Sequence, residues 1–287
     1  MSHKIDLGVI GGTGIYQMEG VSIKEDLVVE TPYGQPSSPI FIADVEGKTI
    51  AFLARHGIGH QIPPSEINYR ANIFALKKLG VKSVVAISAC GSLREDFAPG
   101  DIVIPDQVVD FTKDRVRTFF ETGLVTHVST ADPFCPHLSQ LIYESVVETG
   151  TKVHKGGAFV TIEGPRFSTK AESNLFRSWG MSIIGMTTSP EIFLAREAEM
   201  CYAAFAHVTD YDVWHINEES VTVEMILKVL KKNGQVANDS VLNLIKKLEP
   251  YDCECQHALS SAITTHPDYV DSSQKEKLSI FINKYLK

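Results

Sequence analysis

Ser83-Val84-Val85-Ala86-Ile87-Ser88 is a run of mostly apolar residues that leads directly into the small residues Ala89-Cys90-Gly91-Ser92. Because the run has almost no polar face, it predicts a strand that is covered on both sides of its sheet. Similar β-branched runs alternate with segments of helical periodicity along the whole chain. This alternation predicts an α/β fold.

The periodicity places the other elements on both sides of this strand. The predicted strands are Ile5–Ile10, Ile40–Val45, Thr49–Leu53, Ser83–Ser88, Asp101–Ile104, His154–Ile162, Ser182–Met186 and Tyr202–Val208. The predicted helices are Glu66–Lys78, Pro136–Thr149, Lys170–Trp179, Pro190–Glu199, Val221–Leu248 and two shorter ones near His257 and Ser273.

Length and composition place the chain among globular proteins. Its 287 residues are 44% apolar and 22% charged, and no Pro/Ser-rich linker or repeat divides them. We therefore expect one domain over residues 1–287, with a helical C-terminal tail from about residue 250. The net charge of −8 argues against a general attraction to nucleic acid or to anionic lipid, although a local anion site remains compatible with it.

Targeting signals and cysteine usage indicate the compartment. No apolar run reaches the roughly 18 residues that a membrane span needs, and the N-terminus has no leader-like pattern, so we expect a cytoplasmic protein without membrane partners. The five cysteines are odd in number and mostly scattered, which argues against a secreted disulfide framework.

Polar and glycine-containing clusters recur where predicted strands end. Because open α/β sheets gather ligand-binding residues at the carboxyl ends of strands, these clusters predict one convergent site. They are Gly11-Gly12-Thr13-Gly14, Arg55-His56-Gly57, Ser88-Ala89-Cys90-Gly91-Ser92, Glu163-Gly164-Pro165-Arg166-Phe167, Met186-Thr187-Thr188 and Thr209-Asp210-Tyr211-Asp212.

Two of these clusters suit an anion, and each has a plain alternative. The turn around Thr13 could present backbone N–H groups and a hydroxyl to an anion, or it could be only a turn. It lacks the glycine spacing of a dinucleotide site and the Gly-Lys-Ser/Thr of a nucleotide triphosphate loop. Arg55 has the bidentate reach that an oxyanion needs, but Arg55 and His56 could equally be surface or packing residues.

Asp210 and Asp212 are two residues apart after an apolar run. If the backbone there is extended, both carboxyl groups point the same way and could contact adjacent donors on a heterocycle. A solvated turn or a helix cap is the alternative, and no set of metal ligands accompanies the pair. Phe167 could stack on a flat base or belong to the core, and His127 lies in a loop with no clear role.

The cysteines do not indicate a nucleophile. Cys90, like Cys135 and Cys201, is expected to be a buried, inert thiol, because no base is placed beside it by the sequence. Cys253-Glu254-Cys255 has three interpretations: a strained local disulfide, a partial metal site or two ordinary thiols, and the thiol pair could be redox-active. Metal is the least favoured, because a closed zinc site needs four ligands and only three donors, His257 included, are nearby.

Together the clusters resemble, in order and content, the trimeric purine nucleoside phosphorylase family, in its methylthioadenosine-cleaving branch. The resemblance runs from about Ile5 to Leu248 and rests most on GPRFS and TDYD. Its motifs are GGTG at 11–14, LARHG at 53–57, SACGSLRE at 88–95, DPFCP at 132–136, TIEGPRFSTKAES at 161–173, GMTTSPE at 185–191 and TDYDVW at 209–214. It implies a central twisted mixed sheet flanked by helices.

The resemblance also implies a reaction and a role for each site residue. The family cleaves the N-glycosidic bond of a purine nucleoside with inorganic phosphate as co-substrate, and it needs no metal or organic cofactor. The implied phosphate ligands are Thr13, Arg55, His56, Thr187 and Ser88, the last of which stands where close relatives usually carry Thr. Ala89 and Met186 would line the ribose, Phe167 and Ser168 would lie at the base, and Asp210 and Asp212 would bind the N7 and 6-amino edge.

The 5′ end and the assembly follow from the same resemblance. Val223 and Leu227 would replace a histidine that binds a 5′-hydroxyl, so an apolar 5′-methylthio group is expected. A neighbouring subunit would contribute His127, which implies a homotrimer or a hexamer of two trimers. The Cys253-x-Cys255 pair resembles a feature linked to stability in archaeal and some bacterial members. A broader or 6-oxopurine phosphorylase, and a non-catalytic protein that binds purine or phosphate, are the alternatives.

Overall fold

A computed structural model describes residues 5–12, 21–215 and 222–286 of the chain, and within them eleven strands form one mixed sheet. The strands are β1 (Leu7–Gly11), β2 (Ser22–Leu27), β3 (Ile40–Val45), β4 (Lys48–Ala54), β5 (Ser83–Ser92), β6 (Ile102–Ile104), β7 (Gln107–Phe111), β8 (Val153–Lys155), β9 (Ala158–Ile162), β10 (Ile183–Gly185) and β11 (Cys201–Asp210).

Helices flank this sheet, and the C-terminal tail is built mainly from short turns. The helices are α1 (Tyr69–Lys78), α2 (Pro136–Val147), α3 (Lys170–Ser178), α4 (Thr188–Glu197), α5 (Val223–Lys247), α6 (Ser272–Lys277) and α7 (Ser279–Ile282), with 3-10 turns at Glu254–His257 and Pro267–Tyr269. Within the described residues, no helix is both long and apolar enough to cross a membrane.

Strand β5 is the branch point of the sheet. It pairs in parallel with β1 on one side and with β11 on the other, while its last two residues pair antiparallel with β10. The main path runs β2-β3-β4-β1-β5-β10-β9-β7, and β11, β6 and β8 leave it at β5. Because β1, β4, β5 and β11 are parallel, their carboxyl ends meet at one edge.

The predicted α/β fold with a mixed sheet is confirmed. The predicted strand at 154–162 is two strands instead, because Gly156 and Gly157 have φ angles of +91° and +112° and break the extended backbone between them. The predictions omitted β2, whose sequence SIKEDL is half charged and mostly exposed, and β7 (QVVDF), an edge strand with no fully buried residue. An edge strand needs no continuous apolar face, so periodicity does not reveal it.

Helix boundaries differ from the predicted ones for local reasons. Helix α1 begins at Tyr69 and not at Glu66, because the side chain of Asn68 caps it by accepting from the N–H of Ala71. The helix predicted near His257 is a 3-10 turn, and the one predicted near Ser273 is α6, which α7 follows after one residue.

Both faces of the sheet carry a buried apolar core. All ten residues of β11 are buried, as its apolar sequence predicts for a strand covered on both sides. The C-terminal tail packs against the same body, since Leu259, Val270, Leu278 and Phe281 belong to one of the large core clusters. These contacts hold the tail against the helices and strands on one side of the sheet.

Candidate active site

A cavity of about 1010 Å³ opens at the carboxyl ends of β4, β5 and β11. Twelve of the fourteen site residues proposed from sequence line it: Arg55, His56, Ser88, Ala89, Phe167, Ser168, Met186, Thr187, Asp210, Asp212, Val223 and Leu227. The convergence expected of an open α/β sheet is therefore present in the structure.

The other two residues are placed differently. Thr13 lies outside the described residues, although its neighbour Gly12 lines the cavity. His127 is exposed in a loop whose backbone pairs with the tail, where its N–H donates to the carbonyl of Ala262 at 2.8 Å. It does not line the cavity of its own chain.

Arg55 follows β4 and is almost wholly buried, with 2% of its surface exposed. Its Nε and Nη2 donate to the two carboxylate oxygens of Glu191 at 2.7 and 2.8 Å, and the hydroxyl of Tyr202 donates to the same carboxylate at 2.9 Å. Burial alone would lower the pKa of Arg55, but the adjacent Glu191 holds it above its ordinary value. Arg55 is therefore a permanent cation fixed in position by a buried partner.

This pairing corrects the expectation that an oxyanion would meet the bidentate edge of Arg55. Glu191 already occupies that edge, and it is Nη1 that points toward Ser88, with 3.4 Å to the Ser88 hydroxyl and 3.2 Å to the carbonyl of Ile87. An anion in the cavity would thus meet one N–H group of Arg55 and the hydroxyl beside it. The negative charge of Glu191 offsets part of the attraction.

His56 lies beside this cation with its ring stacked on that of His60, at 4.2 Å between centroids. Its Nδ1 is 2.9 Å from the carbonyl oxygen of Ile62, which can only accept, so Nδ1 carries the hydrogen. Burial, together with the charge of Arg55, lowers the pKa of His56 to about 4. The ring is therefore neutral at neutral pH, and its Nε2 is a hydrogen-bond acceptor.

Thr187 brings a second hydroxyl to the same end of the cavity. It is the residue before α4, and its side chain makes no capping hydrogen bond to that helix. The backbone is non-helical at Ser189, whose N–H donates to the Thr161 hydroxyl, and Pro190 has no N–H. The Thr187 hydroxyl, and not a helix N-terminus, is therefore the donor that suits an anion here. Ser88, Thr187 and Arg55 thus bring two hydroxyl groups and one cation to the same end of the cavity, which is named the anion-binding end for this chemistry.

Two buried carboxyl groups define the other end. Asp210 is the last residue of β11, and its carboxylate accepts from the Thr209 hydroxyl at 2.7 Å and from the N–H of Asp212 at 2.8 Å. Burial raises the pKa of Asp210 to about 6, although these two hydrogen bonds act in the opposite direction. Asp210 can therefore be protonated or ionised close to neutral pH.

Asp212 is not in extended backbone, contrary to the geometry assumed from its spacing. Its φ is +50°, in a turn that follows β11, and this turn brings the side chain back over the cavity beside Asp210. Burial raises the pKa of Asp212, while the nearby Ser173 and Ser168 hydroxyls act in the opposite direction. Its Oδ2 has no hydrogen-bond partner among the described residues. This buried oxygen is a ready acceptor for a ligand donor.

Gly91 on β5 makes room for this carboxyl pair. A Cβ atom at Gly91 would lie 2.9 Å from Oδ1 of Asp210 and 3.1 Å from a methyl group of Ile184. Neither neighbour can give way easily, because β10 and β11 hold them on the two sides of β5. The glycine of the SACGS motif is thus required by close packing against Asp210.

Phe167 and Met186 form an apolar wall between the two ends. Phe167 is half-buried in the loop before α3, and Gly164 of the same loop has a φ of +66°. A Cβ at Gly164 would lie 2.7 Å from the Met186 sulfur, so the loop packs directly on that side chain.

Arg115 fixes this wall and was missed by sequence reasoning. Only 6% of its surface is exposed, and it donates to the carbonyl of Met186 at 2.6 Å, the carbonyl of Ser189 at 2.8 Å and the carbonyl of Glu163 at 2.6 Å. One guanidinium thus ties the loop before Phe167 to the segment that carries Met186. No sequence signal distinguishes Arg115 from its surface neighbours.

Part of the remaining lining is apolar or chemically inert. Val223 and Leu227, one turn apart on α5, are 62% and 59% exposed and stand over the cavity with Ile226. Cys90 donates its S–H to the carbonyl of His207, and burial raises its pKa, so it stays a neutral thiol as expected. Thr209, from the predicted Thr209–Asp212 cluster, also lines the cavity, as does His207, which was not anticipated.

A deep cavity with an anion-binding end, a flat aromatic wall and a pair of buried carboxyl groups defines an α/β enzyme that acts on a nucleoside. The family model described as the phosphorylase superfamily matches residues 6–246, and the chain belongs to this superfamily.

Individual relatives agree over nearly the whole chain. The S-methyl-5′-thioadenosine phosphorylase of Koribacter versatilis is 48% identical over 282 residues, which cover 98% of this chain and 96% of that protein. A methylthioadenosine phosphorylase from an antarctic soil metagenomic library has a TM-score of 0.94 at 42% identity, covering 98% of this chain and 100% of its own. The methylthioadenosine phosphorylase from Schistosoma mansoni in complex with adenine has a TM-score of 0.85 at 36% identity, covering 90% and 97%.

Proposed function

We propose that the protein cleaves 5′-methylthioadenosine with inorganic phosphate and releases adenine and 5-methylthioribose 1-phosphate. The observation that carries this proposal is the pairing of Asp210 and Asp212 in the same cavity as Arg55 and Ser88. The relatives named for this reaction support the choice of substrate. Phosphate is a co-substrate, and the proposed chemistry requires no organic cofactor.

Phosphate would bind at the anion-binding end. Nη1 of Arg55 and the Ser88 and Thr187 hydroxyls would donate to its oxygens, and Nε2 of neutral His56 would accept from a protonated phosphate oxygen. Thr13 is proposed as a further donor on the strength of the family motif. This arrangement would place an oxygen nucleophile beneath the ribose, lined by Ala89 and Met186.

The purine would bind at the other end with its ring against Phe167 and its edge near Ser168 and the two aspartates. As the bond from C1′ to N9 breaks, the sugar gains oxocarbenium character and the bond electrons pass to the base. Protonated Asp210 would then donate its proton to N7, and a phosphate oxygen would bond to C1′. Because the pKa of Asp210 lies near 6, the proton is available close to neutral pH.

Asp212 would select the 6-amino group. Its unpartnered Oδ2 can accept a hydrogen bond from that group, whereas a 6-oxo group offers only a lone pair there. The apolar face made by Val223, Ile226 and Leu227 would take the methylthio group at the 5′ end. A 5′-hydroxyl would find no donor or acceptor among these three side chains.

The proposal includes an oligomer, in which His127 of a neighbouring chain completes the 5′ pocket. The exposure of His127, and of the apolar side chains Val223 and Leu227, supports an arrangement in which another subunit covers this region. A homotrimer, or a hexamer of two trimers, is proposed. We also propose that residues 1–287 form one domain, because the cavity draws on elements from Gly12 to Asn238 and the tail packs on the same core.

The direct test compares three nucleosides with and without phosphate. Methylthioadenosine, adenosine and inosine are each incubated with the protein, and the free base is measured by chromatography. We expect phosphate-dependent release of adenine, fastest from methylthioadenosine. Inosine as the best substrate would instead assign a 6-oxopurine phosphorylase. Tight adenine binding without turnover of any of the three would assign a non-catalytic binding protein.

A further inference from the structure

Four of the five cysteines converge at a place that does not line the cavity. Cys135 precedes α2, Cys201 opens β11, and Cys253 and Cys255 lie in the tail, yet their sulfur atoms all lie within 4.8 Å of one another. The expectation that only three donors are near the Cys253-x-Cys255 pair is therefore wrong. The third donor assumed there, His257, instead contacts Asp252 at 2.9 Å.

The backbone explains how residues so far apart in sequence meet. The N–H of Cys135 donates to the carbonyl of Tyr202 at 2.8 Å, which ties the start of α2 to the start of β11. In the tail, the N–H of Gln256 donates to the carbonyl of Cys253 at 2.9 Å and closes a turn. This turn places the thiols of Cys253 and Cys255 on the same side, toward Cys201.

The spacing of the sulfur atoms suits a tetrahedral metal ion. Bonds from zinc to sulfur of about 2.3 Å place the four sulfur atoms about 3.8 Å apart. The sulfur of Cys253 is 4.0 Å from that of Cys135 and 2.9 Å from that of Cys201, so the observed distances fall on both sides of this value. Small rotations of the four side chains would bring the distances between their sulfur atoms to about 3.8 Å.

The surroundings suit thiolates that are held around a cation. Cys135, Cys201 and Cys255 are buried, and Cys253 is partly buried. Nε2 of Gln256 lies 3.9 Å from the sulfur of Cys201, and the hydroxyl of Tyr251 lies 3.9 Å from that of Cys135. Such polar groups orient thiolate ligands and offset their charge.

We propose that Cys135, Cys201, Cys253 and Cys255 bind one zinc ion as a structural centre that fastens the C-terminal tail to α2 and β11. Four sulfur ligands leave no open position, which is the arrangement of a structural site and not of a catalytic one. Binding converts four thiols to thiolates and releases their protons to solvent, with no change of oxidation state. Two disulfides would instead divide the group into pairs at about 2 Å.

Metal content of the full-length protein tests this directly. The protein is purified with a phosphine reductant and no chelator, and its metals are measured by mass spectrometry. We expect about one zinc ion per chain. Replacing zinc with Co²⁺ should produce the strong visible absorption of a tetrahedral thiolate site. Less than a tenth of this zinc content, or iron in its place, would overturn the assignment.

Variants separate this site from the fifth cysteine. Cys255→Ser should lose most of the zinc, whereas Cys90→Ser, which removes the buried thiol at the cavity, should keep it. If Cys255→Ser does not fold, the wild-type chain stripped of metal provides the second measurement: added Zn²⁺ should slow the labelling of four thiols at least tenfold. Labelling unaffected by zinc, or two disulfides found in the purified protein, would contradict the proposal.

Discussion

The backbone N–H of Asp212 donates to Oδ1 of Asp210 at 2.8 Å, so the turn that presents one carboxyl group also orients the other. Asp210 ends β11 and pairs with Gly91 just after a register shift in that strand, whereas Asp212 lies in a turn with a φ of +50°. The two acids are therefore a coupled unit and not two independent ligands. Burial raises the pKa of both carboxyl groups and so favours their protonated forms. A carboxyl group that holds a proton can donate it to a bound base.

Removing the acid should abolish most of the turnover. Asp210→Asn keeps the size of the side chain but cannot donate a proton to N7, so kcat for methylthioadenosine should fall about 10²-fold or more. Steady-state phosphorolysis measures this, with the exposed Asp268→Asn as the matched control. A variant with unchanged kcat would remove Asp210 from the mechanism.

The same substitution should change how stability depends on pH. The pKa of Asp210 is raised from 3.8 to about 6, so the folded state holds the proton more tightly than the unfolded state does. Its contribution to stability is full below pH 3.8 and is lost as the pH rises through 6, by at most about 3 kcal/mol. The free energy of unfolding of both proteins is measured by denaturant titration from pH 4 to 8. As the pH rises, wild type should lose stability relative to Asp210→Asn, because only wild type carries the carboxyl group. A pH-independent difference would contradict the raised pKa.

Glu191→Gln should change both the stability of the fold and the affinity for phosphate. Loss of the carboxylate leaves the charge of Arg55 without its partner, which should destabilise the fold by about 3–5 kcal/mol. The same loss removes a negative charge behind Nη1 of Arg55, so KM for phosphate should fall. Thermal unfolding and phosphate titration measure the two effects. A higher KM for phosphate, with the fold intact, would mean that Glu191 acts mainly by positioning Arg55.

Gly91→Ala should act on the carboxyl pair through packing alone. The added methyl group would lie 2.9 Å from Oδ1 of Asp210 and push that carboxylate off the base. We expect kcat/KM for the nucleoside to fall at least tenfold while KM for phosphate changes little, because Ser88 and Arg55 are farther along the cavity. If phosphate affinity instead weakens as much as kcat/KM for the nucleoside falls, the substitution distorts β5 as a whole.

Val223→His should broaden the specificity toward a 5′-hydroxyl. Val223 lines the cavity, and an imidazole at this position supplies the hydrogen-bonding partner that the apolar face lacks. The ratio of kcat/KM for adenosine to that for methylthioadenosine should rise about tenfold. Glu224→His, on the adjacent and exposed position of α5 outside the lining, is the control and should leave the ratio unchanged.

Local sequence patterns predicted the strands that carry the site, and the reason is topological. Ser88 and Asp210 follow apolar runs of neighbouring parallel strands, so their convergence follows from strand order without knowledge of packing. The partner of Arg55 could not be found in this way, because Glu191 is 136 residues away and meets it only through the packing of α4 on the sheet. The role of Arg115 could not be predicted for the same reason, because its partners Glu163, Met186 and Ser189 are distant in sequence.

The four-cysteine group shows the same limit. Counting donors along the chain finds Cys253 and Cys255 but not Cys135 or Cys201, since backbone pairing between the start of α2 and β11 creates that proximity. Asp212 differs in kind. Spacing correctly suggested that it accompanies Asp210, but the left-handed turn that places it has no signature in the residues themselves.

Strand β5 sets the distance between the two ends of the cavity. Ser88 serves the anion-binding end and Gly91 lies under the carboxyl pair, and the three residues from one to the other span about 10 Å of extended backbone. That is about the length over which a ribose separates a nucleophile below its anomeric carbon from the far edge of a purine. The distance between the two ends of the cavity is thus set by a single stretch of backbone, which pairs with β11 along its length and with β10 at Gly91. With one more residue between Ser88 and Gly91, the anion-binding end and the carboxyl pair would be too far apart to contact one nucleoside at the same time.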